Sequence, residues 1–432
     1  MTTIRSFIPI SKFSIFFCFL IGLIQYVFLT PDEPNDFYRI SMLSLSIVGT
    51  FAFFIIRKIQ FNGWNLFSIS TIFILGYVVV YYQIQILDLI GITLSPGVYN
   101  FIWSNDSVIN QSIGLATIGL LSFYLGFVLF IKNISLSNIR RNQNFILNKR
   151  AALVIILAYL AYTLFFITSG SYSSGVYYAD DRSSLSVYFF TLFDLSLSAA
   201  IIIKTSFMTQ NIQREISFYK YLQALGVPVL LLVSWHILFS IYVGDRGEII
   251  SYMLLTFGLY FVRFKKISII NVLLIIYFSS IAMQILGDVR QVGSQSETGY
   301  TDRVVNSYLD KSSGRYYDEI LPYSILSSTL ELSISVNTLN HSLDHIPREH
   351  PFRYGLFELQ YVLNVIPGLS GFVSKILYEQ DKKYYSPSNF ISYLIQGDHR
   401  SYSNGTSMLA DIYIDFGSVG IIFGLFVLGV FM

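Results

Sequence analysis

The sequence predicts an all-α polytopic membrane protein of about ten transmembrane helices with a large extracytoplasmic loop, and three observations lead there. Of its 432 residues 53% are apolar and 17% aromatic. Charged residues make up 12%, about half the share usual in soluble globular proteins. The mean hydropathy is +0.58. A water-soluble domain of this length is excluded. The single cysteine, Cys18, excludes an intramolecular disulfide and a multi-cysteine metal site. The formal charge of +2 is unremarkable, and no nucleic-acid partner is expected. The first apolar stretch runs into a Pro-Asp-Glu turn, not a small-residue cleavage site, and is read as a retained helix.

A span needs about 20 mostly apolar residues. The stretches that fit are 13–30, 40–56, 69–86, 113–131, 151–168, 185–203, 224–243, 249–262, 267–286 and 412–432. Orientation follows from the short loops. With Arg5 and Lys12, the loops after the even-numbered spans up to the eighth carry 15 positive charges against one acid, Glu215. The opposite short loops hold Arg39, Arg182 and Arg246 against nine acids. The positive-inside rule therefore puts the N-terminus in the cytoplasm.

The chain then divides into a transmembrane bundle of about nine spans (1–286), a large extracytoplasmic loop (287–407) and a further transmembrane helix (408–432). The loop carries 23 charges in 121 residues. Within it Leu326, Leu330, Val336, Leu339, Leu343 and Ile346 recur at spacings of 3 and 4, with one miss at Ser333, until Pro347. A second apolar stretch, 356–366, ends at Pro367-Gly368. Both read as helices on the outer leaflet or packed on the bundle.

The outer side has acid–arginine pairs in three places: Asp181-Arg182, Asp245-Arg246 and Asp288-Val289-Arg290. Arginine offers a planar fork of donors suited to phosphate oxygens. The bland alternative is that such arginines pair with neighbouring acids or lipid headgroups. Arg246 allows a further step. Residues 246–263 span about 25 Å at ~1.5 Å per residue, against a hydrocarbon core of about 30 Å. With Arg263 at the cytoplasmic face, the turn Gly244-Asp245-Arg246-Gly247 is held at or slightly below the outer boundary. A charge there is expensive unless it faces a polar cavity.

Asp194 and His236 lie at similar depth on consecutive spans and are expected to form a structural bond. Asp398-His399-Arg400 precedes the last span, and Asp411 and Asp415 stand at its start. A histidine or carboxylate at that rim can accept a proton from a hydroxyl. His341 and His345 share a helix face, but without cysteine or an HExxH pattern no metal site is expected. Loop tyrosines, among them Tyr300, Tyr316, Tyr317, Tyr384, Tyr385 and Tyr402, are candidates for stacking on sugars, although interfacial aromatics are ordinary in membrane proteins.

These residues resemble the O-antigen polymerase (Wzy-type oligosaccharide repeat-unit polymerase) family. The Gly244-Asp245-Arg246-Gly247 turn opening a helix is similar to the family's Gly-x-Arg element. Tyr354-Gly355, followed by Ile366-Pro367-Gly368, sits in the large loop where the family has similar elements. Gly405-Thr406-Ser407 through Ala410-Asp411-Ile412-Tyr413-Ile414-Asp415-Phe416-Gly417 and Gly420 resembles its loop-to-helix junction, with Asp411 and Asp415 where Glu and Asn are expected. The chain stops at Phe431-Met432 inside an apolar run, where the family commonly continues for another helix or two, so the resemblance leaves the total span count open.

The resemblance implies a glycosyltransferase C-like bundle in the bacterial inner membrane, with its site facing the exterior. It implies transfer of a growing glycan from undecaprenyl pyrophosphate to another undecaprenyl-pyrophosphate-linked repeat unit. Donor and acceptor would be these lipid-linked oligosaccharides in membrane lipid, with a chain-length regulator and a flippase as further partners and no cofactor. In that reaction Arg246, Arg182 and Arg290 are expected to hold the leaving pyrophosphate, and His399 or a rim acid to deprotonate the acceptor. Asp181, Asp245, Arg400, Tyr354 and Asp411 are expected to bind substrate. An O-antigen ligase has similar topology but delivers the finished glycan to a lipid A core. A flippase or transporter expects inverted repeats and several midplane charges, and the sequence shows no repeat and one midplane pair.

Overall fold

Seven of the expected spans are helices long and apolar enough to cross a membrane: Pro9–Phe28, Asp36–Ile59, Ile69–Leu89, Ser107–Phe130, Ala151–Thr168, Leu185–Met208 and Met408–Phe431. The computed structural model describes residues 7–60, 68–92, 96–130, 144–174, 183–211, 216–265, 325–364, 382–399 and 404–432, with isolated residues at 369 and between 267 and 286. Among them every regular element is helical. In chain order these are α1 (Phe7–Phe28), α2 (Asp36–Gln60), α3 (Ile69–Leu89), α4 (Pro96–Ile102), α5 (Ser107–Phe130), α6 (Asn144–Thr168), α7 (Ser184–Asn211), α8 (Phe218–Leu225) and α9 (Val227–Val243). Then come α10 (Arg246–Met253), α11 (Leu259–Arg263), α12 (Ile325–Ile334), α13 (Val336–His345), α14 (Leu356–Asn364), α15 (Pro387–Gln396) and α16 (Met408–Phe431).

The seventh expected span, 224–243, is broken. Gly226 takes φ 86, ψ 150, and α8 meets α9 at 100°. A backbone there suits only glycine, and Pro228 near the start of α9 supplies no amide for a continuous ladder. The eighth expected span, 249–262, begins earlier, at Arg246, and runs through a π-helical turn, Leu254–Gly258, into α11. The Tyr221 hydroxyl donates to the Thr256 carbonyl within that turn at 3.3 Å. The ninth, 267–286, lies largely outside the described residues.

Among the described residues, buried apolar side chains form two clusters. One joins α1 to α5 with α13 to α16; the other joins α6 to α11. Helix α5 is the axis of the first and is buried along nearly all its length. It crosses α16 at backbone distance: a Cβ on Gly126 would lie 2.0 Å from the Phe426 carbonyl, and one on Gly429 2.1 Å from that of Phe123. Small residues permit such crossings, and interhelical hydrogen bonds secure them in lipid. Tyr77 donates to the Ala116 carbonyl at 2.7 Å, and Ser46 pairs with Tyr82 at 2.9 Å. The apolar spacing from Leu326 to Ile346 becomes α12 and α13, with Leu330, Val336, Leu339, Leu343 and Ile346 buried. These helices pack on the bundle.

Candidate functional site

Helix α9 ends at Gly244, whose left-handed conformation (φ 85, ψ 20) turns the chain back. The amides of Gly244 and Asp245 both donate to the Ser240 carbonyl at 2.8 Å. Asp245 then caps α10, its Oδ1 accepting the Gly247 amide at 3.2 Å. The Tyr172 hydroxyl donates to Oδ2 at 3.4 Å. Arg246 is therefore the first residue of its helix, half-buried, at the end where backbone amides favour an anion.

Beneath this turn lies a chain of polar groups. His236, 1% exposed, has Nδ1 3.1 Å from the Tyr162 hydroxyl and Nε2 3.4 Å from Glu248 Oε2. Asp194 accepts from the Tyr252 hydroxyl at 2.9 Å. The expected Asp194–His236 bond is thus replaced by two separate pairings. The rings of Phe193 and Tyr252 pack against the imidazole at centroid distances of 5.0 and 5.1 Å. Depth along two helices fixes the level of a side chain but not the direction in which it leaves the axis. Glu248 is the residue missed, although it stands in the same short motif two places after Arg246.

A second polar site joins the segment leading into α14 to α16. Helix α16 bends at Gly417 (φ 65, ψ −160), which frees carbonyls one turn earlier. The amides of Arg353 and Tyr354 take those of Ile414 and Asp415, at 3.0 and 2.9 Å. Buried Asp415 also caps α14, accepting the amides of Phe357 at 3.4 Å and Glu358 at 2.9 Å. Asp411 accepts from Tyr361 at 3.1 Å and from the Thr406 hydroxyl. Burial and then the neighbouring Asp415 push the Glu358 carboxyl above its ordinary range. Burial and then Asp411 push the Tyr361 phenol up.

Tyr354 is exposed at a positive φ of 51, and His399 is exposed in the turn after α15. Tyr384 does not offer an open face to sugars: the Arg353 guanidinium lies 4.2 Å from its ring centre and the Lys383 ammonium 5.2 Å. Arg353 stands immediately before Tyr354-Gly355 and went unmarked by the sequence because its partners are far along the chain. His341 points Nε2 at the Phe101 carbonyl, 3.3 Å away, and burial pushes its imidazole below the ordinary value. Among the described residues no three His, Cys, Asp or Glu side chains are grouped to hold a metal ion. Asp181, Arg182, Arg290 and Arg400 lie outside the described residues, as do Tyr300, Tyr316, Tyr317 and Tyr402.

A family model described as O-antigen polysaccharide polymerase Wzy matches residues 10–432. The chain belongs to that family. Comparison with curated proteins and with solved structures returns no match. Membership makes this Wzy chain a multi-pass membrane protein and a glycosyl-transferring polymerase of O-antigen polysaccharide that acts on lipid-linked repeat units. The Wzy match runs through both helix clusters. The Arg246 turn belongs to elements of the second cluster, and Tyr354, Asp411 and Asp415 to elements of the first.

Proposed function

We propose that the protein extends O-antigen at the outer face of the bacterial inner membrane, by transferring the growing glycan from undecaprenyl pyrophosphate to a second undecaprenyl-pyrophosphate-linked repeat unit. The observation that carries this reading is the Arg246 turn. A guanidinium opens a helix there, the capping Asp245 holds its backbone in place, and the residues fall within the Wzy match. The leaving pyrophosphate gains negative charge as the glycosidic bond breaks, and a fixed arginine fork at a helix N-terminus meets that charge. Arg182 and Arg290 are assigned to the same anion. Asp181, Arg400, Tyr354 and Asp411 are assigned to the saccharides, and His399 is the rim candidate for the acceptor's proton. The 15-to-1 charge asymmetry of the short inner loops supports the orientation. A chain-length regulator and a flippase complete the proposed partners.

The test is the glycan ladder of cells carrying Arg246→Ala or Arg246→Lys, with protein quantified in the membrane. Ala abolishes extension beyond one repeat unit while the protein accumulates. Lys restores extension only in part, because an ammonium keeps the charge and loses the fork. Full-length glycan with Ala refutes the reading. Loss of every attached repeat, the single unit included, points to a ligase.

A further inference from the structure

Three groups line up beneath the Arg246 turn: the Glu248 carboxylate, the His236 imidazole and the Tyr162 phenol, joined at 3.4 and 3.1 Å. They come from three helices, α10, α9 and α6, so their alignment is a product of the fold. We propose that Glu248, in place of the rim candidate His399, is the catalytic residue that takes the proton of the attacking sugar hydroxyl, with His236 and Tyr162 as the residues that position it. This inference rests on the reading that the Arg246 turn holds the donor pyrophosphate.

Access separates the three groups. The imidazole is sealed, with 2% of its side chain exposed, whereas the Glu248 side chain keeps 23%. Only Glu248 can meet a substrate. It lies two residues after Arg246, a rise of about 3 Å along the helix, so both residues belong to its first turn while their side chains leave the axis in different directions. A donor pyrophosphate at Arg246 and an acceptor hydroxyl at Glu248 would then meet this helix end from different sides.

Catalytic hydrogen bonds are often long before substrate binds, so the 3.4 Å contact is compatible with such a use. Among the described residues, the other titratable groups that act on or feel Glu248 include Asp194 on α7, whose carboxylate accepts from Tyr252, and Tyr252 itself on α10. Asp194 is therefore committed to a phenol, and Glu248 is the carboxylate of this group with an imidazole to orient it.

The step balances without a further reactant. The hydroxyl proton passes to Glu248 as its oxygen bonds to the anomeric carbon. The bond from that carbon to the pyrophosphate oxygen breaks, and its electron pair leaves on the pyrophosphate, opposite Arg246. The carboxyl then returns the proton to solvent through its exposed side.

The experiment measures steady-state elongation against pH with the full chain in detergent and undecaprenyl-pyrophosphate-linked repeat units, for wild type, Glu248→Gln, Glu248→Asp, His236→Gln, Tyr162→Phe, His399→Gln and Arg246→Ala. Glu248→Gln is expected to lower kcat by about 10²-fold or more at nearly unchanged KM and to lose the acid limb of the rate profile. Glu248→Asp recovers part of the rate. His236→Gln and Tyr162→Phe lower kcat by about tenfold and keep the acid limb, since the carboxylate remains. Wild-type kcat and an unchanged profile in Glu248→Gln, with Arg246→Ala inactive, overturn the assignment of Glu248 alone. Loss of the acid limb in His399→Gln instead has the same consequence. An active Arg246→Ala removes the reading beneath the inference. Should Glu248→Gln fail to accumulate, Glu248→Asp decides: a wild-type kcat and profile there also overturn it.

Discussion

Asp415, inside the last helix, accepts the backbone amide of Glu358, 57 residues earlier, at 2.9 Å. The bond ties α14 to α16 through a carboxylate that is wholly buried. Replacing a capping carboxylate leaves helix-end amides without a partner, at about 0.5–2 kcal/mol. Asp415→Ala should lower the unfolding temperature of the purified protein, and Asp415→Asn, which keeps an acceptor oxygen, should lower it less. Equal effects of the two would mean that the amides of Phe357 and Glu358 find other acceptors.

Two glycines make that contact possible. A Cβ on Gly355 (φ 87) would meet the Phe416 ring at 2.8 Å, and one on Gly417 (φ 65) the Phe352 ring at 3.0 Å. Each phenylalanine thus lies over the glycine of the opposite strand of chain. Gly417→Ala should cost about 1–3 kcal/mol from the glycine-only backbone (φ 65, ψ −160) alone. Pairing it with Phe352→Leu relieves the contact and leaves the backbone cost, so the double variant should remain less stable than Phe352→Leu. Equal thermal stability of those two would show that the bend at residue 417 adjusts freely.

Much of this architecture is written in local pattern, and what is not depends on partners remote in sequence. Seven spans are legible because each is an unbroken apolar run in a chain otherwise interrupted by charge. The face from Leu330 to Ile346 is legible because a packed helix needs its 3–4 spacing. The break at Gly226 is hidden, since the glycine and Pro228 sit inside apolar sequence that reads as continuous. The Arg246 turn is legible from its glycines, but the partners of His236 are not. Tyr162 lies 74 residues away, and the direction of each side chain around its axis is set by packing alone. Asp415 is visible as a rim acid, while its task as a cap requires knowing that α14 ends against it.

Glu358 gives a prediction with a definite sign. Burial, then Asp415, raises its folded-state pKa above the ordinary 4.5, so the charged form is disfavoured in the folded protein. The folded state then binds more protons than the unfolded one between those values, and stability falls as pH rises through them. Glu358→Gln removes this cost. It should raise the unfolding temperature at pH 7 and leave it nearly unchanged at pH 4, where the carboxyl is protonated in both states. A larger gain at pH 4 than at pH 7 contradicts the assignment.

Arg39 is an arginine whose donors are committed. Its side chain is 4% exposed and donates to Asp88 at 2.6 Å, to Asp36 at 3.1 Å, and to the side chain and carbonyl of Gln85 at 2.9 and 3.2 Å. Arg39→Met leaves the part-exposed Asp88 carboxylate and the Gln85 acceptors without their donor and should cost about 1–3 kcal/mol, read as loss of folded protein in the membrane. Asp36→Asn should cost about 1 kcal/mol or less, since that carboxylate is 73% exposed. Comparable losses in both would show that the pairing with Asp88 does not hold α2 to α3.

Chelation should leave elongation unchanged. The leaving pyrophosphate carries the energy of the transfer, and the proposed countercharge comes from arginine forks, which need no deprotonated ligands and no bound cation. The residues best spaced for a metal on one helix face are turned elsewhere. His345 Nδ1 is 2.7 Å from Glu349 Oε2, and His341 Nε2 is 3.3 Å from the Phe101 carbonyl. Coordination through those nitrogens would break both contacts. Purified full chain given lipid-linked repeat units and excess EDTA should therefore lengthen glycan at the rate of the untreated sample. Loss of activity on chelation, restored by one particular divalent metal and abolished again by His341→Ala, would replace the arginine clamp with a metal-assisted transfer.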